Sequence, residues 1–195
     1  MRLDQLYEST LTDEQRTLYT SIAGNREGVD ARPRHLVDAE GAIQGPFNHM
    51  LHVPAIGDPL QQLGGVLRFR GALSDAAREL AILLVARSQR SEFEWWAHVP
   101  IARRAGVTDD QLDALLAGPP PTFDDPVTDC VVTTTTALVE RGDLTDEEYA
   151  RAEHVLGAPT LIELTTLVGY YALVAMQLRV FRVTIPDGET NPFSR

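Results

Sequence analysis

The stretch EFEWWAHVP, at residues 92–100, places a carboxylate and an imidazole one helical turn apart. If this stretch is a helix, which advances about 100° per residue, Glu94 and His98 fall on the same face. Ile101 and Ala102 lie beside them, so the pair sits in the apolar stripe that should contact the core. A carboxylate beside an imidazole fixes its tautomer, which is how a general acid/base is assembled. The spacing therefore predicts a site of proton transfer.

The same spacing also suits a structural ion pair, and the residue types alone leave both interpretations open. Trp95 and Trp96 are candidate substrate contacts that would lower the local dielectric constant around the pair. Tryptophans nevertheless pack more often in a core or a subunit interface than against a substrate. Pro100 cannot donate a hydrogen bond to the carbonyl of Trp96, which predicts an unpaired acceptor close to the pair.

Three further charged residues are candidates for the same site. Glu79 lies in an otherwise apolar helix and needs a partner such as His98 or an arginine, unless it reaches solvent at the helix end. Arg68 and Arg70 are candidate clamps for a substrate carboxylate. Their position near the end of a helix explains them more simply, because cations are favoured there.

Metal, thiol and nucleotide chemistry have weaker support in the sequence. His49 and His52 are three residues apart, but two histidines need further ligands and no HExxH spacing is present, so we predict no metal site. His52 remains a candidate substrate contact. The single cysteine, Cys130, excludes an intramolecular disulfide and a CxxC pair. With no GxGxxG, Walker A or GxSxG motif, we expect no cofactor.

Start and stop signals for helices recur along the chain and predict an all-α fold. The segment at 80–86, LAILLVA, is apolar on every side and should belong to a central helix. The β-branched run after Asp125 favours a strand by propensity, but the flanking caps favour a helix. The predicted helices are 12–24, a short one from 46, a second ending before 71, 73–89, 92–106, 108–118, 125–142, 145–157 and 159–181.

Two segments lack these start and stop signals for helices. Residues 24–45 are too long for an ordinary connector, so we expect them to be functional or to lie across the surface. The tail at 186–195 is expected to be loose or to pack on a neighbouring subunit.

Composition limits the class of protein. A chain of 195 residues suits one domain, 1–195, and its 44% hydrophobic and 23% charged residues are typical of a globular protein. The net charge of −11 argues against a nucleic-acid or anionic-membrane partner. The N-terminus has no apolar signal core and no run of 18 apolar residues occurs, so we expect a cytoplasmic protein.

The central segment ARELAILLVARSQRSEFEWWAHVPIARRAGVTDDQLDAL resembles the carboxymuconolactone decarboxylase family, which includes the alkylhydroperoxidase-D-like (AhpD-like) proteins. The shared pattern is a glutamate in an apolar helix, an acidic or cysteine-containing turn ending in histidine, and then AxxxGVTxxQ. The upstream segment from Gly45 and the last long helix are similar to the family's lead-in and closing helix. The resemblance therefore covers residues 45–183, the expected core.

The resemblance implies a helical fold assembled as a homotrimer or homohexamer, with sites near subunit interfaces. The peroxidase branch carries CxxC followed by histidine, whereas this chain has Ser91 and Glu94 at the two cysteine positions and retains His98. Thiol redox chemistry is thereby removed. The decarboxylase branch carries E-x-E-x-x-x-H, which matches Glu92, Glu94 and His98.

The leading hypothesis is a cofactor-independent, decarboxylase-like lyase acting on a small carboxylated lactone or related enolisable acid. His98 would be the general acid/base, Glu94 would orient it, and Glu79 would be a second carboxylate in the pocket. Two alternatives stay open. One is an isomerase, dehydratase or cyclase that uses the same pair, and the other is a non-catalytic helical oligomer that binds a small molecule.

Overall fold

The protein is described from a computed structural model that covers residues 2–24 and 36–193. Within those ranges every regular element is helical, apart from one isolated bridge between Val37 and Ile43. The all-α prediction is confirmed. The helices are α1 (Asp13–Gly24), α2 (Pro46–Met50), α3 (Pro54–Phe69), α4 (Asp75–Ser88), α5 (Glu92–Arg104), α6 (Asp109–Ala117), α7 (Pro126–Arg141) and α8 (Asp146–Phe181).

Side-chain caps explain where most of these helices begin. The Ser74 hydroxyl accepts a hydrogen bond from the Ala77 amide at the start of α4. Thr108 and Thr145 form capping boxes at the starts of α6 and α8. Each cap satisfies an amide that has no partner within the helix and stabilises the helix by about 1 kcal/mol.

The β-branched segment in α7 is helical because its ends are fixed. The Asp125 carboxylate accepts from the Thr128 amide, and Gly142 closes the helix in the left-handed conformation, at φ 73°. Thr133 and Thr136 turn their hydroxyls back to carbonyls of their own helix, which satisfies these polar groups in the helical state. The capping signals therefore outweigh strand propensity here.

Helix α4 forms the centre of the fold. Every residue from Ala77 to Ala86 is buried, and the helix packs against α5, α7 and α8. This placement confirms the prediction from its all-round apolar sequence. It also means that Glu79, on the same helix, is enclosed by protein on all sides.

The two helices predicted at 145–157 and 159–181 join end to end as α8. Gly157 interrupts the helical backbone at φ 75° and ψ 153°, and Pro159 follows it. Because proline has no amide proton, the ladder breaks here and the two segments meet at a kink. Among the described helices, α8 alone is long and apolar enough by length and composition to cross a membrane. It also packs along α4 and α7, as a core helix does.

The C-terminal tail packs against other parts of its own chain. The Phe193 ring lies edge-on to Trp95, with the ring centroids 5.9 Å apart. The Arg90 guanidinium donates to the Phe193 carbonyl at 2.6 Å. The expectation of a loose tail is therefore wrong for 186–193, whereas packing of the tail on a neighbouring subunit stays a prediction. Of the segment 24–45, residues 25–35 lie outside the described ranges.

Helix α3 approaches α8 through a glycine. A Cβ placed on Gly64 would overlap the Tyr170 hydroxyl and lie 2.7 Å from Cζ of that ring, whereas a Cβ on Gly65 would meet nothing within 4 Å. Of these two neighbouring glycines, only Gly64 therefore lies at the close approach.

The two glycines provide a matched pair of substitutions. Gly64→Ala is expected to lower the free energy of unfolding by about 1–3 kcal/mol, because the methyl group displaces Tyr170. Gly65→Ala is expected to raise it by up to about 1 kcal/mol, through better helix propensity in open space. Urea denaturation of both variants measures the difference. Two changes of the same sign would contradict the close approach of α3 to Tyr170.

Candidate acid/base site

The buried imidazole of His98 lies between two carboxylates. Its Nδ1–H donates to Oε2 of Glu79 at 2.6 Å, and its Nε2 is 3.4 Å from Oε2 of Glu94. Glu79 comes from α4, whereas His98 and Glu94 come from successive turns of α5. The three residues are 0%, 6% and 4% exposed in the order Glu79, His98, Glu94, so water screens their interactions little.

The structure thus brings together all three residues that were predicted as catalytic, with one difference in geometry. The short hydrogen bond to the imidazole comes from Glu79, not from Glu94. A carboxylate can only accept, so this bond places a proton on Nδ1 of His98. Glu79 is therefore the group that orients the ring, and Glu94 faces the reactive nitrogen.

The Nε2 side of the ring faces the second carboxylate, that of Glu94. In a neutral imidazole with its proton on Nδ1, Nε2 is an acceptor, and an ionised Glu94 is an acceptor as well. Two acceptors 3.4 Å apart in a dry site repel each other unless a proton lies between them. A proton on either group removes this repulsion, and a proton in this position could be transferred to a bound molecule, as a general acid requires.

Arg78 provides a positive charge on the far side of Glu79. Its Nε lies 3.6 Å from Oε1 of Glu79, and its Nη2 donates to Asp75 at 2.6 Å. Neither Oε1 of Glu79 nor Nε of Arg78 has a hydrogen-bond partner among the residues described. The arginine balances the buried carboxylate electrostatically without taking the hydrogen bond to His98. Arg78 was not among the predicted residues, although its i,i+3 spacing from Asp75 was visible.

Two tyrosines of α8 form the aromatic wall of the site. The Tyr171 ring stands perpendicular to His98, with centroids 5.2 Å apart, and Tyr170 stacks edge-on against Tyr171 at 5.3 Å. Burial raises the pKa of the Tyr171 hydroxyl well above its usual value. The positive charge of Arg68 has the next largest effect on this pKa and lowers it, and the charges of Glu79 and Glu94 each raise it by less. Tyr171 therefore stays protonated and can donate a hydrogen bond.

The tryptophans do not form this wall, contrary to the role predicted for them. Trp95 packs in a separate core cluster with α6 and against Phe193. Trp96 stacks on Phe93 at 5.5 Å and faces a different cleft. Both point away from His98 because they follow Glu94 by one and two helical steps, about 100° and 200° around α5.

The cavity beside His98 is small. Its volume is about 40 Å³, close to that of a single water molecule. Arg68 reaches this cavity, whereas Arg70 is exposed at the end of α3. His52 lies elsewhere, where its Nε2 bonds to the Asp4 carbonyl at 3.0 Å. Of the predicted substrate contacts, only Arg68 therefore lines the cavity. Its walls are formed by Pro46, Phe47, Gly64, Arg68, Phe93, Glu94, Ala97, His98, Ile101, Tyr170, Tyr171 and Val174.

A much larger cleft lies on the other side of Phe93. It has a volume of about 670 Å³, and Asp38, Gln44 and Trp96 are among its lining residues. Phe93 lines both spaces. Gly45, at φ 67°, lies so close to this ring that an added Cβ would be 2.6 Å from Cε1. Clefts of this volume accommodate small-molecule ligands, and Phe93 separates this one from His98.

Residues that could bind a metal ion are dispersed. Within 2–24 and 36–193, no three His, Cys, Asp or Glu side chains are grouped to hold one. Nε2 of His49 bonds to Gln177 at 3.0 Å, away from His52. Cys130 is buried, with its sulfur 3.9 Å from the Thr134 hydroxyl.

Residues 54–129, which include Glu79, Glu94 and His98, match the model of the carboxymuconolactone decarboxylase family. No curated protein sequence matches the chain. A crystal structure from Agrobacterium tumefaciens has a similar fold, with a TM-score of 0.63 at 12% identity, over 73% of this chain and 99% of that one. That protein is of unknown function and is provisionally described as an antioxidant defence protein AhpD.

Proposed function

We propose that this chain is a lyase that decarboxylates a small carboxylated lactone or enolisable acid by acid/base chemistry. The match of residues 54–129 to the carboxymuconolactone decarboxylase family model and the AhpD-like fold support the proposal. The observation that carries the proposal is the buried arrangement of His98 between Glu79 and Glu94. Glu79 holds one ring nitrogen, and the other can exchange a proton with a bound molecule. A buried imidazole with one nitrogen held and the other available supports a general acid/base over a structural ion pair.

The chain's own residues supply a group for each step of such a reaction, provided that Phe93 moves and joins the 40 Å³ cavity to the larger cleft. The Arg68 guanidinium binds and orients the substrate carboxylate, and the Tyr171 hydroxyl donates to the carbonyl oxygen of the lactone. The bond between the carboxyl carbon and the ring carbon breaks, CO₂ leaves, and the electron pair moves into that carbonyl to form an enolate. Nε2–H of His98 then protonates the carbon, and the imidazole recovers a proton from Glu94 or water. Glu79 stabilises the imidazolium form throughout.

The test is the mass of the product formed from a panel of carboxylated lactones in deuterated water. We expect a product that is lighter by one CO₂ and carries one deuterium at the former carboxyl-bearing carbon. A product of unchanged mass would replace decarboxylation by isomerisation or cyclisation with the same residues, and loss of water would indicate a dehydratase. Binding without any conversion would indicate a non-catalytic ligand-binding protein.

Phe93 is expected to control access to His98. Phe93→Leu opens the partition toward the 670 Å³ cleft, so kcat/KM for lactones with a bulky substituent should rise about tenfold, the scale of small changes in pocket size. Steady-state kinetics with small and bulky substrates provide the measurement. Phe193→Leu is the matched control, because Phe193 packs on Trp95 outside both cavities. Equal effects of the two substitutions would contradict a gating role for Phe93.

We also propose that the chain assembles into a homotrimer or homohexamer. Helices α3 and α8 pack together and carry large apolar side chains that are 39–66% exposed. Exposed apolar surface of this kind is typical of subunit interfaces. The side chains are Ile56, Leu63, Val66 and Phe69 in α3, and Ile162, Leu173, Met176 and Val180 in α8. Sedimentation equilibrium should give three or six times the chain mass, and a monomer at micromolar concentration would contradict this.

A further inference from the structure

Four arginines line a third cleft, at the end of α4 and the start of α5. Its volume is about 560 Å³, and the last turn of α8 and the N-terminal segment close its other sides. The chain has 17 basic residues against 28 acidic ones, yet this cleft contains four of the former and a single carboxylate, that of Glu92. The four are Arg2, Arg90, Arg179 and Arg182. The local charge is thus opposite in sign to that of the whole chain.

The arginines are held in place without losing their charge. Three of them each donate one N–H to a backbone carbonyl: Arg2 to Val180 at 3.1 Å, Arg90 to Phe193 at 2.6 Å, and Arg179 to Gln89 at 2.8 Å. In the described part of the chain, none of the four forms a salt bridge with a carboxylate. A guanidinium has five N–H donors, so most remain free to bind a ligand. The Glu92 carboxylate is itself occupied by the Asn191 amide.

Two of these arginines occupy backbone positions that favour glycine. Arg90 and Arg182 have φ values of 50° and 57°, and they are the only non-glycine residues with positive φ in the described chain. An L-residue in this left-handed region raises the free energy of the folded state by about 1–2 kcal/mol. Glycine has no Cβ and does not incur this penalty. Both strained residues line the same cleft. Strain of this kind is typically retained where a side chain serves a function.

The first turn of α5 adds positive potential to the cleft. Ser91, Glu92 and Phe93 line it, so the N-terminus of this helix, with its partial positive charge, faces the arginines. Ser91 occupies the N-cap position but does not cap the helix. Its hydroxyl is buried, in a residue that is 1% exposed, and it has no partner among the residues described. An unsatisfied buried hydroxyl at this place is a further potential donor to an anion.

We propose that this cleft binds a small molecule carrying at least two negative charges, as a pyrophosphate group or a di- or tricarboxylate does. Four guanidinium groups that have no carboxylate partner among the described residues repel one another, and an anion removes that repulsion while accepting hydrogen bonds from their remaining N–H groups. The concave shape favours a small molecule over a flat macromolecular surface. Phe93 lines this cleft and also the cavity of His98, but the binding of the anion does not depend on the acid/base chemistry.

The test is calorimetric titration of the full chain with pyrophosphate and, separately, citrate, at ionic strength held constant with sodium chloride. We expect saturable binding of one anion per chain, with a Kd below about 1 mM. Arg182→Gly should raise that Kd at least about tenfold, because it removes one charged donor. It should not lower the melting temperature, since glycine relieves the backbone at this position.

Arg103→Ala is the matched control. It removes the same charge from an exposed side chain that pairs with Asp109 outside the cleft, so the Kd should not change. Tighter binding of pyrophosphate would assign the site to phosphorylated ligands, and tighter binding of citrate to carboxylates. Absence of saturation by both anions up to about 10 mM, or an equal Kd for wild type and Arg182→Gly, would overturn the proposal.

Discussion

Replacement of His98 by glutamine is expected to lower kcat at least about 100-fold while leaving KM within a few-fold of the wild-type value. Glutamine can still donate an N–H toward Glu79, so the polar contact in the core is partly retained. It cannot take up or release a proton near neutral pH, so the carbanion left by CO₂ is not protonated. A loss confined to kcat identifies an interaction made in the transition state.

Two measurements make this expectation decisive. Circular dichroism and urea denaturation establish that the variant is folded, and single-turnover kinetics separate chemistry from product release. His154→Gln is the matched control, because His154 is exposed on α8 and should leave kcat unchanged. Undiminished turnover by a folded His98→Gln protein would refute the acid/base assignment. If no substrate is turned over by the wild type either, the pair is structural.

Sequence periodicity was sufficient to predict the part of the site that lies on one helix. Glu94 and His98 are four residues apart, and the helical repeat alone brings them to one face. The contact between His98 and Glu79 depends on the packing of α4 against α5. The sequence could show that Glu79 needed a partner, because a carboxylate in an apolar helix is costly to bury. It could not show which nitrogen of His98 each carboxylate would face. The sequence therefore suggested Glu94 as the residue that orients His98, whereas in the structure Glu79 does so.

The errors in the predicted walls have a similar cause. Trp95 and Trp96 were predicted to lie beside the Glu94/His98 pair because they are close to it in sequence. The aromatic wall is instead supplied by Tyr171 from α8, which is distant from the pair in the chain. For the arginines a local signal was present. Gly64 and Arg68 are one turn apart on α3, so the face that approaches α8 through the glycine also carries Arg68 to the cavity, and Arg70 falls elsewhere.

The helices themselves were predictable because their signals are local. Ser74, Thr108, Asp125 and Thr145 each cap the helix that follows within three residues. The position of the tail was not predictable, because it depends on contacts of Phe193 with residues far along the chain. Local chemistry therefore sets the elements, and long-range packing decides which side chains share a cavity.

Removal of the Glu79 carboxylate is expected to have the largest effect on stability. Glu79→Ala should lower the free energy of unfolding by about 3–5 kcal/mol, because it leaves His98 and Arg78 without their partner in the core. Glu79 is fully buried and its oxygens lie 2.6 Å from Nδ1 and 3.6 Å from Nε of those residues. Urea denaturation gives the value. Glu153→Ala, at an exposed position of α8, should change it by less than about 0.5 kcal/mol.

A double-mutant cycle separates the contribution of the pair from that of the site. Suppose that Glu79 stabilises the fold mainly through its contact with His98. The loss of unfolding free energy in the double variant Glu79→Ala/His98→Ala should then be smaller than the sum of the losses in the two single variants, by about 1–3 kcal/mol. Strict additivity would instead assign the stabilisation to Arg78.

Glu79→Gln distinguishes the structural role of Glu79 from its electrostatic one. Its amide oxygen can still accept from Nδ1 of His98, so most of the stability should be retained even if the alanine variant fails to fold. The negative charge that stabilises the imidazolium is lost, so kcat should still fall, by about tenfold or more. A Glu79→Gln variant with the wild-type kcat would show that Glu79 only orients the ring of His98. A parallel loss of stability and activity would show that the charge itself holds the core together.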